Sequence, residues 1–418
     1  MRLRGRGGEA LEALASGILL QGTLLITGIV AARVLGPEAR GQLALIWVVV
    51  LVLVQLGTLG LPVALTFNVA QKPLSTVAMR RMVRPVMVLQ MVLVSGLVLL
   101  VLLVVFATKL PLEPSLIAVL VVPAWVLQAY NLATLQGLGA FRELHVLRIL
   151  PSVAYAVALL TGWALGESTL LFVTAAWVFS YLGSAAITWV VATARTRTLA
   201  GEGSEPPPAT LPEMTRFGLA GFLGSASPTE TFRVDQLIVG LVLTTEDLGL
   251  YVTALAFCNL PRFLAQALGL VAYPRIAEQS EPEVQRRLLW RFTGLATVAA
   301  AGVAIPLAIL APELVPLAFG DGFSGAVATT QVLLLATVVL CTRRVMSEGL
   351  RGVGAPGIGS TAEALSLVAL IPALFVCVPP LGVEGVAVAL GITYVLSLVV
   401  LLVAAERRGL GLRRPASA

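Results

Sequence analysis

Hydrophobic residues occupy most of the chain in long runs, and short polar segments separate one run from the next. A helix that crosses a bilayer needs about 20 mostly apolar residues, and twelve runs reach that length. Most of these runs carry almost no charge. The pattern predicts an all-α integral membrane protein with spans at 11–33, 42–66, 85–107, 115–138, 146–166, 169–193, 214–243, 248–274, 288–311, 325–347, 357–379 and 383–405.

Composition excludes a soluble globular protein. Of the 418 residues, 58% are hydrophobic and only 12% are charged, whereas a soluble domain carries roughly 25% charged residues. Cys258, Cys341 and Cys377 all lie in or beside apolar runs without metal-type spacing, so we interpret them as small core residues.

Charges between the runs predict the orientation of the chain. If the amino terminus is cytoplasmic, the inner segments hold 23 of the 28 basic residues, and the outer segments hold only Arg33, Arg40 and Lys109. This bias is typical of cytoplasmic loops and explains the net charge of +6 without a nucleic-acid partner. We therefore expect a multi-pass protein of the bacterial cytoplasmic (inner) membrane with both termini in the cytoplasm.

One polar gap divides the chain into two sets of six spans. Residues 194–213 are rich in Gly, Pro and charge, which predicts a cytoplasmic linker between an amino-terminal lobe, 1–193, and a carboxyl-terminal lobe, 214–418. A second polar segment, 279–292, is amphipathic. It either lies along the inner membrane interface or continues the ninth span.

Similar segments recur at corresponding places in the two halves. Residues 34–41 match 242–249, and residues 135–141 match 350–356. Because each half has an even number of spans, both enter the membrane from the same side, as in transporters built from parallel repeats. The repeat predicts two six-helix bundles around a central cavity that rock to give alternating access.

Several loop motifs resemble those of the polysaccharide (Wzx-type) flippases of the multidrug/oligosaccharidyl-lipid/polysaccharide (MOP) exporter superfamily. The first is the run from Ala32 to Pro37 with Gly41. The other segments that carry the resemblance are 235–240, 248–251 with Ala254, 273–275, 311–314 with 319–320, and 381–385.

The resemblance implies a fold similar to that of the multidrug and toxic compound extrusion (MATE) transporters of this superfamily, and the function of a transporter rather than an enzyme. It implies flipping of an undecaprenyl-diphosphate-linked oligosaccharide to the outer leaflet for surface polysaccharide biosynthesis. Lipid II flippases usually carry an Arg-Asp pair where this chain has Thr27 and Gly28. The alternatives are such a flippase, an ion-coupled multidrug exporter, or a scaffold of a polysaccharide synthase complex.

Ionisable residues inside spans are the first candidates for a substrate site, because they cost about 2.5–3.5 kcal/mol on insertion scales. The guanidinium groups of Arg233 and Arg262 match phosphate oxygens, which predicts a cationic site for the diphosphate. Structural pairing is the alternative, with Glu230 opposite Arg233 and Asp235 neutralising Arg262. The five residues of this class are Glu230, Arg233, Asp235, Arg262 and Glu363.

Other candidates are polar or aromatic. Arg33 either contacts the flipped diphosphate or extends its charge to the interface. Trp125, Gln128 and Asn131 either stack on and hydrogen-bond sugars or join helices to one another.

No nucleotide-binding sequence accompanies these residues. Residues 352–357 fit G-x-G-x-x-G, but no predicted strand precedes them. We therefore expect no cofactor, and a proton or sodium ion coupled through Asp235 or Glu363 is one source of energy. The expected partners are the lipid-linked oligosaccharide, membrane lipid and a polysaccharide polymerase or ligase, with the protein itself a monomer.

Overall fold

A computed structural model describes residues 3–200, 205–225 and 233–411, and none of these residues forms a strand. The helices of the first half are α1 (Leu3–Gly57), α2 (Leu61–Gln71), α3 (Thr76–Leu100), α4 (Leu112–Val119), α5 (Val121–Gly137), α6 (Phe141–Ala164) and α7 (Leu170–Ala200). Those of the second half are α8 (Leu211–Ser225), α9 (Val234–Val242), α10 (Thr245–Ala277), α11 (Pro282–Ile309), α12 (Ala311–Phe319), α13 (Ala326–Gly352) and α14 (Pro356–Arg407).

Nine helical stretches within those ranges are long and apolar enough to cross a membrane, which confirms the all-α membrane class. Two of the nine, Leu19–Gly57 and Gly357–Arg407, each cover parts of two predicted spans. The predicted span 42–66 is divided between α1 and α2. Helix α1 is kinked at Gly36 (φ 71°, ψ 175°) and α14 at Gly382 (φ 55°, ψ −128°). Glycine adopts these positive φ angles without steric cost, so the segments predicted between spans at 34–41 and 380–382 are sharp bends between consecutive helices.

The predicted seventh span, 214–243, is not a single helix among the described residues. Helix α8 ends at Ser225, residues 226–232 lie outside the described part, and α9 begins at Val234. Arg233, which precedes α9, has a φ of 48°, a left-handed conformation that non-glycine residues seldom adopt.

The structure also decides between the two interpretations of 279–292. Helix α11 runs without interruption from Pro282 to Ile309, so this segment continues the ninth span. Its first turns are fixed by the carboxyl-terminal segment, because the indole N–H of Trp290 donates to the carbonyl oxygen of Leu410 at 2.8 Å.

Part of the segment predicted as a linker, 194–213, is helical. Helix α7 continues to Ala200, so residues 194–200 are helical. Beyond 201–204, Glu205 lies 4.0 Å from the ammonium of Lys72 at the end of α2, and its N–H donates to the Leu74 carbonyl.

The chain forms two compact units, Met1–Leu237 and Ile238–Ala418. In the first unit α5 packs against α7 and α2, and α6 packs against α1 and α7. Helix α8, from the second half of the sequence, packs against α2 in this unit.

In the second unit α13 is the central helix and packs against α10, α11 and α14. Small side chains fill its core, and they let helix backbones approach closely as in other membrane bundles. Large apolar side chains point outward instead, for example Phe375 with 78% of its surface exposed. The alanines of this core include Ala265, Ala272, Ala296, Ala300, Ala362 and Ala405.

Candidate functional site

Four aromatic side chains meet inside the first unit. The ring of Trp125 on α5 lies 6.0 Å from that of Trp177 and 5.4 Å from that of Tyr181, both on α7. Trp47 on α1 meets the other side of Trp125 at 6.3 Å, edge to face. We call Trp47, Trp125, Trp177 and Tyr181 the aromatic cluster. It gives Trp125, predicted as a sugar-binding residue, three aromatic neighbours.

A guanidinium group is linked to this cluster. Arg40 lies seven residues before Trp47 on α1, which places the two side chains on the same helix face two turns apart. It is half-buried and interacts electrostatically with Tyr155 of α6, which in turn interacts with Tyr181. The sequence pattern placed Arg40 in an outer loop. Because the bend at Gly36 is so short, Arg40 instead lies in the first turns of the helix that follows.

Gln128 and Asn131, the other predicted sugar-binding residues, are buried and engaged within the lobe. Gln128 Nε2 donates to the Leu147 carbonyl oxygen at 3.3 Å. Asn131 Nδ2 donates to the Leu127 carbonyl oxygen at 2.8 Å, and its Oδ1 accepts from Arg80 at 2.9 Å. The amide of Asn131 therefore joins helices, and a role for it in sugar binding stays a prediction.

Arg80 connects three helices at one end of the first unit. Besides Asn131 on α5, its guanidinium donates to the hydroxyls of Thr196 at 2.9 Å and Thr193 at 3.3 Å, both on α7. Arg80 lies in the first turns of α3, whereas its partners lie toward the ends of α5 and α7. Helix α3 therefore runs antiparallel to both.

The seventh-span candidates are only partly described. Arg233 directly precedes α9, and Asp235 lies in the first turn of that helix with 4% of its surface exposed. Glu230 lies outside the described residues, so its predicted pairing with Arg233 stays untested.

Arg262 and Arg33 occupy different environments. Arg262 is half-buried near the middle of α10, one turn after Cys258, with which it interacts electrostatically. Arg33 is exposed on α1, one turn before the bend at Gly36. Their predicted contacts with a diphosphate stay predictions.

Glu363, predicted as an alternative ion-coupling residue, forms a buried ion pair. Its carboxylate accepts from Arg343 at 2.6 Å, and the Arg343 side chain is only 8% exposed. The same guanidinium donates to the Ser397 hydroxyl at 2.9 Å and lies 5.3 Å from the ring centre of Tyr394. Arg343 thus joins α13 to both arms of the kinked α14.

Sequence reasoning missed Arg40, Arg80 and Arg343 because it counted all three as loop cations. Arg40 and Arg80 lie in helices that extend past the apolar runs used to find them, whereas Arg343 lies near the end of the predicted span 325–347. The available signal was spacing: Arg343 precedes Glu363 by 20 residues across one predicted turn, a distance that suits facing positions on two antiparallel helices.

Comparison with solved structures defines the class of fold. The lipid II flippase MurJ in an inward closed conformation aligns over 95% of this chain and 87% of its own, with a TM-score of 0.72 and 12% identity. An inward-facing multidrug resistance MATE transporter of the MOP superfamily aligns over 92% and 93%, with a TM-score of 0.70 and 16% identity. A MOP superfamily transporter from Pyrococcus furiosus aligns over 96% and 94%, with a TM-score of 0.61 and 14% identity. The chain therefore has the fold of a MOP superfamily transporter.

Comparison of the sequence with family models gives a narrower assignment than the fold does. Residues 11–280, well over half of its length, match the model of the polysaccharide biosynthesis protein family. The chain belongs to that family, which confirms the resemblance seen in its loop motifs. No curated protein matches it closely enough to be described as a relative.

Proposed function

We propose that this protein is a flippase that carries an undecaprenyl-diphosphate-linked oligosaccharide from the cytoplasmic to the outer leaflet by alternating access. The family match over residues 11–280 carries this proposal. In this proposal the polar headgroup passes through the multi-pass helical fold, while the polyprenyl tail stays in lipid.

The charges inside the helices suit an anionic headgroup. Arg233 and Arg262 provide permanent positive charge, and a guanidinium binds phosphate oxygens through two parallel hydrogen bonds. In this proposal each of them is a binding residue for the diphosphate. Lipid and the lipid-linked oligosaccharide are then the partners in the inner membrane, with a polymerase or ligase receiving the product.

The type of charge argues against the multidrug-export alternative. A site for cationic compounds needs uncompensated acidic groups, but Glu363 already faces the permanent charge of Arg343 at 2.6 Å. Asp235 keeps a coupling role for a proton or sodium ion open. The membrane potential is the other energy source, since one charge crossing 100 mV gains about 2.3 kcal/mol.

Removal of the two arginines tests the proposal. The double variant Arg233→Ala/Arg262→Ala should fail to restore polysaccharide export in a strain that lacks its own flippase. The lipid-linked intermediate should then accumulate on the cytoplasmic side, as extraction and mass spectrometry would measure. Arg81→Ala is the matched control, because Arg81 is exposed on α3.

Normal export by the double variant would refute the role of the two arginines in diphosphate binding. Failure of the wild-type protein to restore export with any lipid-linked oligosaccharide, combined with increased drug resistance, would favour the multidrug exporter instead.

A further inference from the structure

The aromatic cluster of the first unit contains polar atoms that the described part of the protein does not satisfy. Trp177 is 3% exposed, yet its indole N–H has no acceptor among the described residues. The buried Nε–H of Arg40 likewise has no acceptor among the described residues. Buried polar groups are rarely left without a hydrogen-bond partner, because that costs about 1–3 kcal/mol each. Two such donors at one aromatic cluster indicate a place for a ligand with acceptor atoms.

An acceptor and a further donor lie one helical turn away from the two tryptophans. Gln128 Oε1, three residues after Trp125, has no donor among the described residues, and Thr174 Oγ1, three residues before Trp177, likewise has no partner there. Residues three apart share a helix face. The surroundings of the cluster therefore offer donors and an acceptor together, as a ligand with several hydroxyl groups requires.

The rings supply the apolar part of such a site. Trp125 meets Trp47 and Trp177 edge to face and Tyr181 at a tilt, so four aromatic rings lie close together. Ligand sites in proteins usually combine aromatic walls with a few fixed polar groups. A sugar ring matches this combination, because it has apolar C–H faces and a rim of hydroxyl groups.

Arg40 adds the charge preference. None of the ion pairs among the described residues involves Arg40, which interacts electrostatically with the phenol of Tyr155. A lone guanidinium pairs well with a single carboxylate, to which it presents two parallel N–H groups. Among the described residues, Arg40 is the cation that Tyr155 links to the cluster, whereas a diphosphate carries more than one negative charge.

The positions along the helices agree with one site. Arg40 and Trp47 lie in the first turns after the bend at Gly36, and Trp177 and Tyr181 lie in the first third of α7. Under the predicted topology both segments start from the outer face. Arg80 contacts α7 near its other end, at Thr193 and Thr196.

We propose that Arg40 and the aromatic cluster form a binding site for an acidic sugar of the transported oligosaccharide. The sugar ring stacks on the indole faces of Trp125 and Trp177, and its carboxylate pairs with Arg40. This inference rests on the proposed flippase function and specifies its substrate class as an oligosaccharide that contains a uronic acid or a similar carboxylate sugar.

The test is a binding titration with the full chain in phosphatidylcholine nanodiscs, followed by intrinsic tryptophan fluorescence. Three of the six tryptophans belong to the cluster. The acidic probe is hyaluronan tetrasaccharide and the neutral probe is chitotetraose. We expect the acidic probe to bind with a Kd at least tenfold lower than that of the neutral probe.

Variants then separate the two parts of the site. Arg40→Gln should raise the Kd of the acidic probe about tenfold and leave that of the neutral probe unchanged. Trp177→Phe, which keeps a ring but removes the N–H, should weaken both probes several-fold. Arg287→Gln, an exposed arginine of α11, is the control and should change neither value.

Three results would overturn the inference: equal Kd values for both probes in the wild type, no binding of either probe, or displacement of the acidic probe by equimolar inorganic diphosphate. The wild-type comparison needs no variant, so it decides the question even if Arg40→Gln does not fold. Export in the flippase-deficient strain tests the proposed function separately. Normal export with equal Kd values would refute only this site, and acid-selective binding without export would refute only the flippase function.

Discussion

At the scale of single residues, the ion pair between Arg343 and Glu363 shows how a membrane helix keeps a charge inside. The Arg343 guanidinium is almost fully buried and has a carboxylate, a hydroxyl and an aromatic face around it. Taking two charges out of water costs several kcal/mol per ion, and only good geometry offsets that cost. The protein is therefore less stable with only one of the two charged side chains than with both or with neither.

Glu363→Ala should lower the free energy of unfolding by about 3 kcal/mol, because it leaves the buried guanidinium of Arg343 without its carboxylate. The double variant Arg343→Met/Glu363→Leu should recover most of that loss. Denaturant-induced unfolding in detergent, followed by circular dichroism, would measure both values.

A matched control for this cycle lies on the same helix. Arg351 is exposed and Glu348 is half-buried, with 3.6 Å between their charged groups. Because solvent screens this pair, Glu348→Ala should change the free energy of unfolding by less than about 1 kcal/mol. If Glu363→Ala were as mild as the control but abolished export, the carboxylate would serve transport rather than structure, and the ion-coupling alternative would gain support.

At the scale of elements, the contact between α8 and the bend after α1 depends on two glycines. Gly60 has a φ of 69°, and a Cβ atom placed on it would lie 2.1 Å from the carbonyl oxygen of Gly218 on α8. A Cβ on Gly218 would lie 2.6 Å from the carbonyl oxygen of Gly60. The rings of Phe67 and Phe217 stack beside this approach, 4.5 Å apart.

Gly218→Ala should therefore push α8 away from α2 and lower the midpoint of thermal unfolding by several degrees, since backbone atoms cannot move aside cheaply. Gly221→Ala is the control on the same helix. Its Cβ would meet Val63 at an ordinary 3.7 Å, so the midpoint should stay the same or rise slightly. Equal midpoints for the two variants would mean that the backbones are not in close contact.

The sequence predicted the helices well and their connections poorly. An apolar run of about 20 residues is a strong constraint, because backbone groups in lipid must be satisfied within the helix. The short polar segments between runs are a weaker constraint. Gly36 and Pro37 suggested a loop, but a single glycine with a positive φ angle is enough to change the direction of the helix. Helices also continue past the hydrocarbon, as α7 does to Ala200.

The candidate site was less accessible to sequence reasoning than the fold. The sequence pointed to Trp125 as a polar-aromatic candidate, but its neighbours Trp47 and Trp177 come from runs 78 and 52 residues away. Nothing local in the sequence indicates that these rings meet. Arg40 was missed for a related reason. The sequence around an arginine beside an apolar run is the same whether its side chain faces water or the interior of the lobe.

At the scale of the whole molecule, the orientation in the membrane rests on the distribution of basic residues. Two exposed serines allow a direct test. Ser168 lies between α6 and α7, and Ser280 lies between α10 and α11. The charge pattern predicts that the first connection faces outward and the second faces the cytoplasm.

Ser168→Cys should react in intact cells with a membrane-impermeant maleimide, whereas Ser280→Cys should react only after the cells are broken. The native cysteines are buried or half-buried, and the wild-type protein gives the background. Labelling of Ser280→Cys alone in intact cells would invert the predicted topology and place both termini outside.

The packing of α8 on α2 also affects how the chain can be divided. By order along the chain this helix opens the second half, yet its glycine and phenylalanine contacts are made with the first. If the chain were cut anywhere between α7 and α8, α2 and the helix that packs against it would lie on different polypeptides. The boundary between the two units therefore falls after α8 and not before it, and an exchange of one half for that of a relative would have to carry α8 along with the first.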